Sequence, residues 1–126
     1  MKILFIQMGG TIDKDYPRLT KGYAFEITIP AVERIIAKVR PTFEYNIISI
    51  AQKDSTELSD EDRERLLRVC QETDSGKILI THGTDTMIET AAALHEIRGK
   101  AISHKLRAME VYSSPRFRWI ALSCYV

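Results

Sequence analysis

The sequence has few of the residues that mark specialised classes of protein. Its 126 residues include 2 cysteines, Cys70 and Cys124, too few for a disulfide framework or a cysteine-rich zinc site. No apolar run approaches the length of a membrane span, and the apolar stretch at residues 1–6 is too short for a signal peptide. We therefore expect a cytoplasmic protein that does not associate with membranes.

Charge of one sign is also scarce. The formal net charge of +1 offers no broad basic surface, so no nucleic-acid partner is expected. The charge is uneven, however: residues 1–98 hold 13 basic and 16 acidic residues, and residues 99–126 hold 5 basic and 1 acidic. Such a shift marks either a binding tail or a segment that does not belong with the rest. Otherwise the composition fits one globular domain, residues 1–126.

Three apolar, β-prone segments alternate with amphipathic helical patterns. The predicted strands are residues 2–8, 45–51 and 77–81. The predicted helices begin at Pro30, after Ser59 and at Thr86, and end near residues 40, 72 and 97. Thr86-x-x-Glu89 matches a capping box, and residues 60–65 are expected to form a solvated helix face. The alternation predicts a three-layer α/β/α domain with a mostly parallel, Rossmann-like sheet.

Glycines and small hydroxyl residues follow all three predicted strands. The three loops are Gly9-Gly10-Thr11, Lys53-Asp54-Ser55-Thr56 and Thr81-His82-Gly83-Thr84-Asp85. Ligands of parallel α/β sheets bind beyond the carboxyl ends of the strands, so the loops are expected to form one site. A threonine hydroxyl becomes a nucleophile when a neighbour takes its proton. Backbone amides and a helix N-terminus can stabilise developing negative charge.

Each loop taken alone has a plainer explanation. Gly-Gly-Thr after a strand is more often only a turn, and a stretch such as Thr84-Asp85-Thr86 before a helix is commonly only an N-cap. His82 is expected to shape its turn rather than to act as a base. The patterns G-x-G-x-x-G and Walker A are absent, which disfavours a nucleotide-binding module. The functional interpretation therefore depends on all three loops lying at equivalent strand ends.

The loops resemble the signatures of bacterial-type L-asparaginases over residues 1–102. Gly9-Gly10-Thr11-Ile12 is similar to the first signature, residues 81–87 to the second, and residues 54–58 to the substrate-binding loop. The resemblance implies the N-terminal domain fold of that family. It also implies hydrolysis of L-asparagine, with L-glutamine as the alternative substrate, to the acid and ammonia through a threonyl ester. No cofactor or metal is implied, and a homodimer or larger oligomer is.

The resemblance also implies roles for individual residues. Thr11 would be the nucleophile, aided by a tyrosine hydroxyl from Tyr23 or, as the alternative, Tyr16. Thr84 and Asp85 would form a second catalytic set. The residues expected to bind substrate are Gly10, Ser55, Thr56, Gly83, Thr84 and Asp85, with Asp85 on the α-amino group, Ser55 on the α-carboxylate, and the Gly10 and Thr84 amides on the oxyanion.

Two departures from the family pattern bear on activity. The family lysine that partners the second set lies further downstream, and we expect it to be missing here, with Lys100 or Lys105 as unsupported substitutes. Residues 103–126 do not continue the family pattern, so we expect an atypical tail, from an altered reading frame or as an amphipathic extension, and loss of the family's fourth strand. The rival functions are binding of an amino acid or dicarboxylate without turnover, and amide release from another carrier.

Overall fold

The computed structural model describes residues 1–15, 26–27, 29–95, 97 and 101–105. Its strands and helices, in chain order, are β1 (Lys2–Gly9), β2 (Lys14–Asp15), β3 (Glu26–Ile27), α1 (Ala31–Val39), β4 (Glu44–Lys53), α2 (Asp60–Glu72), β5 (Lys77–Thr81), α3 (Met87–Ala93) and β6 (Ala101–Lys105). Short 3-10 turns at Thr11–Asp13 and Ser55–Glu57 follow β1 and β4. No helix in the described ranges has the length and apolar content needed to cross a membrane.

Four strands form one parallel sheet in the order β4-β1-β5-β6. The chain leaves β1 toward β4 by way of α1 and then returns across β1 to β5 by way of α2. This reversal around β1 places the carboxyl ends of β1, β4 and β5 side by side, which is where ligands of such sheets bind. A separate antiparallel pair, β2 with β3, joins the two ends of the segment between Asp15 and Glu26.

Alternating side chains of β1 and β5 point into two cores, one on each face of the sheet. This arrangement gives the predicted three-layer architecture. Leu4 and Ile6 of β1 belong to the larger core with Leu66 and Cys70 of α2. On the opposite face of the sheet, Phe5 packs with Val32 and Ile36 of α1 in the smaller core. Because successive strand side chains point to opposite faces, one strand serves both cores. Helices therefore cover both faces of the sheet.

Helix α2 begins with a capping box that also corrects one prediction. The Ser59 hydroxyl accepts from the Asp62 amide, and the Asp62 carboxylate accepts from the Ser59 amide. Asp62 is 6% exposed, and the Arg63 side chain is 12% exposed. Residues 60–65 are thus not one solvated face. The Asp62 side chain bonds to the helix cap at Ser59, and the Arg63 side chain bonds to Thr90 of α3.

The chain after α3 differs from the prediction in two ways. The helix ends at Ala93 rather than near residue 97, because the following amides of Leu94, His95 and Ile97 bond to carbonyls three residues earlier. The expected loss of the fourth strand is wrong: β6 pairs in parallel with β5, in register from Lys77–Ala101 to Thr81–Lys105. Residues 103–105 therefore belong to the sheet, and residues 106–126 lie outside the described residues.

Candidate active site

The three predicted loops meet at the carboxyl end of the sheet, as the sequence indicated. Gly10 and Gly83 touch through their backbones: a Cβ atom on Gly10 would lie 2.5 Å from the Cα and N atoms of Gly83. A Cβ atom on Gly83 would lie 2.6 Å from Cβ and Oγ of Ser55. Gly10 also has φ of +95°, a conformation that glycine adopts without strain. The β1, β4 and β5 loops are thus in direct contact, and glycine makes this contact possible.

An irregularity in β4 brings its loop to the β1 loop. The pairing of β1 with β4 runs from Lys2–Glu44 to Gln7–Ser49 and then shifts, so that Gly9 lies opposite Lys53. The Gly10 amide donates to the Lys53 carbonyl at 2.9 Å. The sequence predicted this N–H as an oxyanion donor; in the structure the Lys53 carbonyl already accepts from it. Gly10 contributes its lack of a side chain instead.

Ser55 is the centre of the junction. It opens the 3-10 turn that is capped by Asp54 and Glu57, and it is 1% exposed. Its hydroxyl donates to Asp85 Oδ2 at 3.2 Å and accepts from the Asp85 amide, also at 3.2 Å. Ser55 therefore holds both the backbone and the carboxylate of Asp85 in place. Asp85 was expected to bind the α-amino group of the substrate, and Ser55 its α-carboxylate. In the structure, Ser55 also fixes the position of Asp85.

Thr86 supports the same junction, against the prediction made for it. Its side chain does not cap α3. Instead the Thr86 hydroxyl donates to the Ser55 carbonyl at 2.7 Å. The backbone of Thr86, with φ of −123° and ψ of 23°, lacks the extended geometry typical of a side-chain cap. The capping-box pattern of the sequence is therefore used for a contact between loops.

Thr84 and Asp85 are exposed beside this buried junction. Within the described part of the chain, the Thr84 amide has no hydrogen-bond partner. It is therefore the candidate donor to an oxyanion, and Asp85 presents a carboxylate next to it. Thr56 is also exposed, but its hydroxyl donates to Asp54 Oδ1 at 3.2 Å and so belongs to the cap of its own turn.

The backbone of Thr11 lies in the 3-10 turn that leads away from the junction. The Asp13 amide donates to the Gly10 carbonyl at 3.1 Å, and Asp13 Oδ1 accepts from the Ala31 amide at 2.7 Å. Burial raises the pKa of the Asp13 carboxyl, although the Ala31 amide opposes this shift. Asp13 thus fastens the Thr11 turn to the start of α1, a role that sequence patterns did not suggest.

The predicted tyrosine partners of Thr11 and the possible substitutes for the family lysine lie mostly outside the described residues. Tyr16, Tyr23 and Lys100 lie outside the described residues. Lys105 ends β6 with its Cα opposite that of Thr81, on the same edge of the sheet as the loops. Within the described ranges, no group of three or more His, Cys, Asp or Glu side chains is placed to hold a metal ion.

A lysine that the sequence analysis did not single out links two of the loops. Lys14 Nζ lies 3.2 Å from Asp54 Oδ2, so the ion pair joins the segment after Thr11 to the residue before Ser55. The Thr56 amide and Lys14 lower the pKa of the Asp54 carboxyl. No pattern in the sequence marks this pair, because its partners are separated by α1 and β4.

His82 is buried beneath the β5 loop, with 2% of its surface exposed. Its Nδ1 lies 2.6 Å from the Gly83 carbonyl oxygen, and its Nε2 lies 2.8 Å from the Thr90 hydroxyl. Burial lowers the pKa of the imidazole. Burial thus favours the neutral ring, and its contacts with Gly83 and Thr90 shape the turn.

Comparison with known proteins identifies the family. The family described as "Asparaginase, N-terminal" matches residues 2–101. No curated protein matches the chain.

Solved structures of L-asparaginases share the fold. The thermostable L-asparaginase of Thermococcus kodakarensis is 25% identical, with a TM-score of 0.68, and the match covers 84% of this chain and 34% of that one. A probable cytoplasmic L-asparaginase of Campylobacter jejuni is 26% identical, with a TM-score of 0.68, over 83% of this chain and 34% of that one. L-asparaginase I of Vibrio cholerae is 22% identical, with a TM-score of 0.65, over 83% and 33% of the two chains. This chain thus spans about a third of the length of those structures, and it belongs to the asparaginase family through the N-terminal domain.

Proposed function

We propose that this chain hydrolyses the side-chain amide of L-asparagine to give L-aspartate and ammonia. The observation that carries the proposal is the contact between Ser55 Oγ and the Asp85 carboxylate at 3.2 Å. This contact fixes an exposed carboxylate beside the Thr84 amide, which has no hydrogen-bond partner among the described residues. The backbone contact of Gly10 with Gly83 brings the Thr11 turn to the same edge of the sheet. The proposed nucleophile, the proposed amide donor and the proposed anion for the substrate amine therefore come from adjacent loops.

In the proposed reaction, the Thr11 hydroxyl oxygen attacks the side-chain amide carbon of asparagine. The Thr84 N–H donates to the oxygen that becomes negative. The C–N bond then breaks, and ammonia leaves with the proton that the Thr11 hydroxyl has given up. The Tyr23 hydroxyl, with Tyr16 as the alternative, is the proposed carrier of that proton. Water attacks the resulting ester, which releases L-aspartate and restores the hydroxyl.

Substrate orientation is proposed to depend on Asp85. Its exposed carboxylate can pair with the α-ammonium group of an amino acid, and its hydrogen bonds to Ser55 hold it in place. Ser55 is already engaged with Asp85, so the hydroxyl can meet the α-carboxylate only by sharing its hydrogen bonds. One methylene in the pocket separates asparagine from glutamine, which sets a discrimination of roughly 10–200-fold.

A second candidate function is binding of an amino acid or dicarboxylate without turnover. Among the described side chains, no lysine forms an ion pair with Asp85. A carboxylate held beside an amide donor suffices for binding. This candidate and the enzyme share the same residues, so turnover separates them.

The test is ammonia release from L-asparagine and L-glutamine by the purified 126-residue chain. Thr11→Ala removes the proposed nucleophile, and Thr11→Ser keeps a hydroxyl as the matched control. We expect release that disappears in Thr11→Ala and persists in Thr11→Ser. A folded chain that binds L-aspartate in a calorimetric titration but releases no ammonia would favour the binding function instead.

The proposal extends to self-association in the cytoplasm. Strand β4 lies at one edge of the sheet, and the apolar side chains of Tyr45 and Ile48 on it are 41% and 38% exposed. An edge strand with apolar side chains is suited to pairing with another chain. Light scattering of the purified chain is expected to give the mass of a dimer or larger species, and the mass of a single chain would contradict this part.

A further inference from the structure

A row of polar side chains runs beneath the Thr84–Asp85 turn, from α2 through α3 to the β5 loop. Arg63 Nε lies 3.2 Å from the Thr90 hydroxyl oxygen. That oxygen lies 2.8 Å from His82 Nε2, and His82 Nδ1 lies 2.6 Å from the Gly83 carbonyl oxygen. Thr90 is 0% exposed and His82 is 2% exposed. The row is therefore sealed from water over most of its length.

The donors and acceptors of this row can be assigned without ambiguity in a neutral ring. The Gly83 carbonyl only accepts, so the proton of the imidazole must be on Nδ1. Nε2 is then an acceptor, and the Thr90 hydroxyl donates to it. Arg63 Nε–H in turn donates to the Thr90 oxygen. The Thr86 carbonyl is a competing acceptor for the Thr90 hydroxyl at 3.2 Å, but that choice would leave the buried Nε2 without a donor.

The planar peptide bond carries this arrangement into the site. The Gly83 carbonyl and the Thr84 N–H belong to one peptide unit, and in a trans peptide the two groups point in opposite directions. The described residues contain no cis peptide bond. When His82 holds the carbonyl toward the interior, the Thr84 N–H is directed away from it, toward the exposed side of the turn. The carbonyl on one side thus determines the donor on the other.

We propose that His82 is a positioning residue which, with Thr90 and Arg63 behind it, fixes the Gly83–Thr84 peptide plane so that the Thr84 N–H points into the site. The inference rests on the proposed function in one respect: the Thr84 amide is the donor to the oxyanion. It differs from a packing role for His82, because packing depends on the volume of the ring and positioning depends on the Nδ1–H.

Two substitutions separate these roles. The side-chain nitrogen of asparagine falls near the place of Nδ1, so His82→Asn can still donate to the Gly83 carbonyl. The longer glutamine reaches the place of Nε2, so His82→Gln can still contact Thr90 but not Gly83. Both variants lose the ring, and a packing role predicts similar losses for both. Positioning predicts that His82→Asn keeps kcat at least tenfold above that of His82→Gln.

The experiment combines nuclear magnetic resonance of the 15N-labelled full chain with ammonia-release kinetics. In the unaltered chain, we expect the His82 ring to carry its proton on Nδ1 alone; a proton on Nε2 alone would overturn the proposal without any variant. We expect His82→Gln to lower kcat by about 100–1,000-fold, the loss typical of one oxyanion donor, with a smaller change in KM. Equal losses in His82→Asn and His82→Gln would overturn it.

The same spectra distinguish failure of the positioning role of His82 from failure of the proposed enzyme function. If the unaltered chain releases no ammonia, the proposed function fails, and the Thr84 amide resonance then decides the positioning role. We expect that resonance to move in His82→Gln and to stay near its original place in His82→Asn. An unmoved Thr84 resonance in His82→Gln would overturn the positioning role. If His82→Gln does not fold, Thr90→Val replaces it, and an unchanged ring tautomer and an unchanged Thr84 resonance would contradict the proposal.

Discussion

Two kinds of contact hold the Ser55 loop, and they differ in how much change they can absorb. On one side, Gly83 lies against Ser55 with no space for a Cβ atom. On the other side, Lys14 pairs with Asp54 and Lys53 pairs with Asp62 through long side chains. A backbone contact cannot move without moving the site, whereas a lysine can find another rotamer or a water molecule. A substitution at the backbone contact should therefore displace the site, whereas a substitution in the ion pairs should change mainly the stability of the loop.

The two ion pairs also differ from each other. The Asp62 side chain is 8% exposed, and its carboxylate accepts from Lys53 Nζ at 2.9 Å and from the Ser59 amide at 2.9 Å. In the other pair, the Lys14 and Asp54 side chains are 32% and 35% exposed. The first pair is built into a helix cap, and the second is open to solvent and salt. The comparison predicts a graded series of effects.

The largest effect is expected for Gly83→Ala. The added Cβ would meet Ser55, which is itself held by Thr86, so the loop must shift. A displacement of about 1 Å at a catalytic site can cost about 100-fold in kcat/KM, and overpacking costs about 1–3 kcal/mol of stability. Steady-state kinetics and urea unfolding measure the two losses. Gly76→Ala is the matched control, because a Cβ at Gly76 meets nothing within 4 Å. Equal effects at the two glycines would contradict the close contact.

The next effect is expected for Asp62→Ala. This change removes an acceptor that is bonded to the Ser59 amide, the Ser59 hydroxyl and Lys53. Loss of a cap with charge-assisted hydrogen bonds should lower the free energy of unfolding by about 2 kcal/mol. Urea unfolding of Asp62→Ala beside Asp62→Asn measures it, since asparagine keeps an acceptor for the Ser59 amide. A loss below about 0.5 kcal/mol would show that the buried cap is no stronger than a surface contact.

The Asp62 carboxylate should also give a defined dependence on pH. Burial raises the pKa of Asp62, but the hydrogen bonds from the Ser59 amide and Lys53 lower it by more than burial raises it. The folded-state pKa of Asp62 is therefore below the ordinary value. Its stabilising contribution is therefore present above the ordinary pKa of about 3.9 and is lost as pH falls through the folded-state pKa. The difference in unfolding free energy between the unaltered chain and Asp62→Asn should be constant above pH ~5 and shrink below pH ~4.

Measurement of this difference cancels an opposing contribution from Asp13. Burial raises the Asp13 pKa, so that residue favours the folded state more as pH falls. A difference that grows on acidification would contradict the lowered pKa of Asp62.

The smallest effect is expected for Lys14→Met, which keeps most of the side-chain volume and removes the charge. Partly exposed ion pairs contribute about 0–1 kcal/mol, and salt screens them. The loss of stability should therefore be under ~1 kcal/mol and should disappear at about 1 M salt. An effect that persists in high salt would mean that Lys14 packs rather than pairs.

The sequence was sufficient to predict the layout because each signal was local or periodic. The apolar runs at 2–8, 45–51 and 77–81 lie within β1, β4 and β5. Parallel strands place their carboxyl ends on one edge, so the meeting of the Gly10, Ser55 and Gly83 loops followed from the alternation of strands and helices.

Contacts between distant segments could not be predicted in the same way. The sequence around Thr86 matches a capping box, yet its hydroxyl is bonded to Ser55. The Gly10 amide is taken by Lys53 because of an irregularity in β4 that no residue pattern marks. Lys14 and Asp54 are 40 residues apart. The fourth strand was missed because polar Ser103 and His104 interrupt a run that pairing with β5 nevertheless orders.

The measurement that tests the central claim most directly is the mass of the intact chain after rapid acid quenching during turnover of L-asparagine. If the three loops form one hydrolytic site with Thr11 as the nucleophile, a fraction of the chain should carry one added aspartyl group. Peptide mapping should place that group on Thr11, and Thr11→Ala should lack it. Ammonia release with no adduct on Thr11, or with an adduct on another residue, would contradict the account.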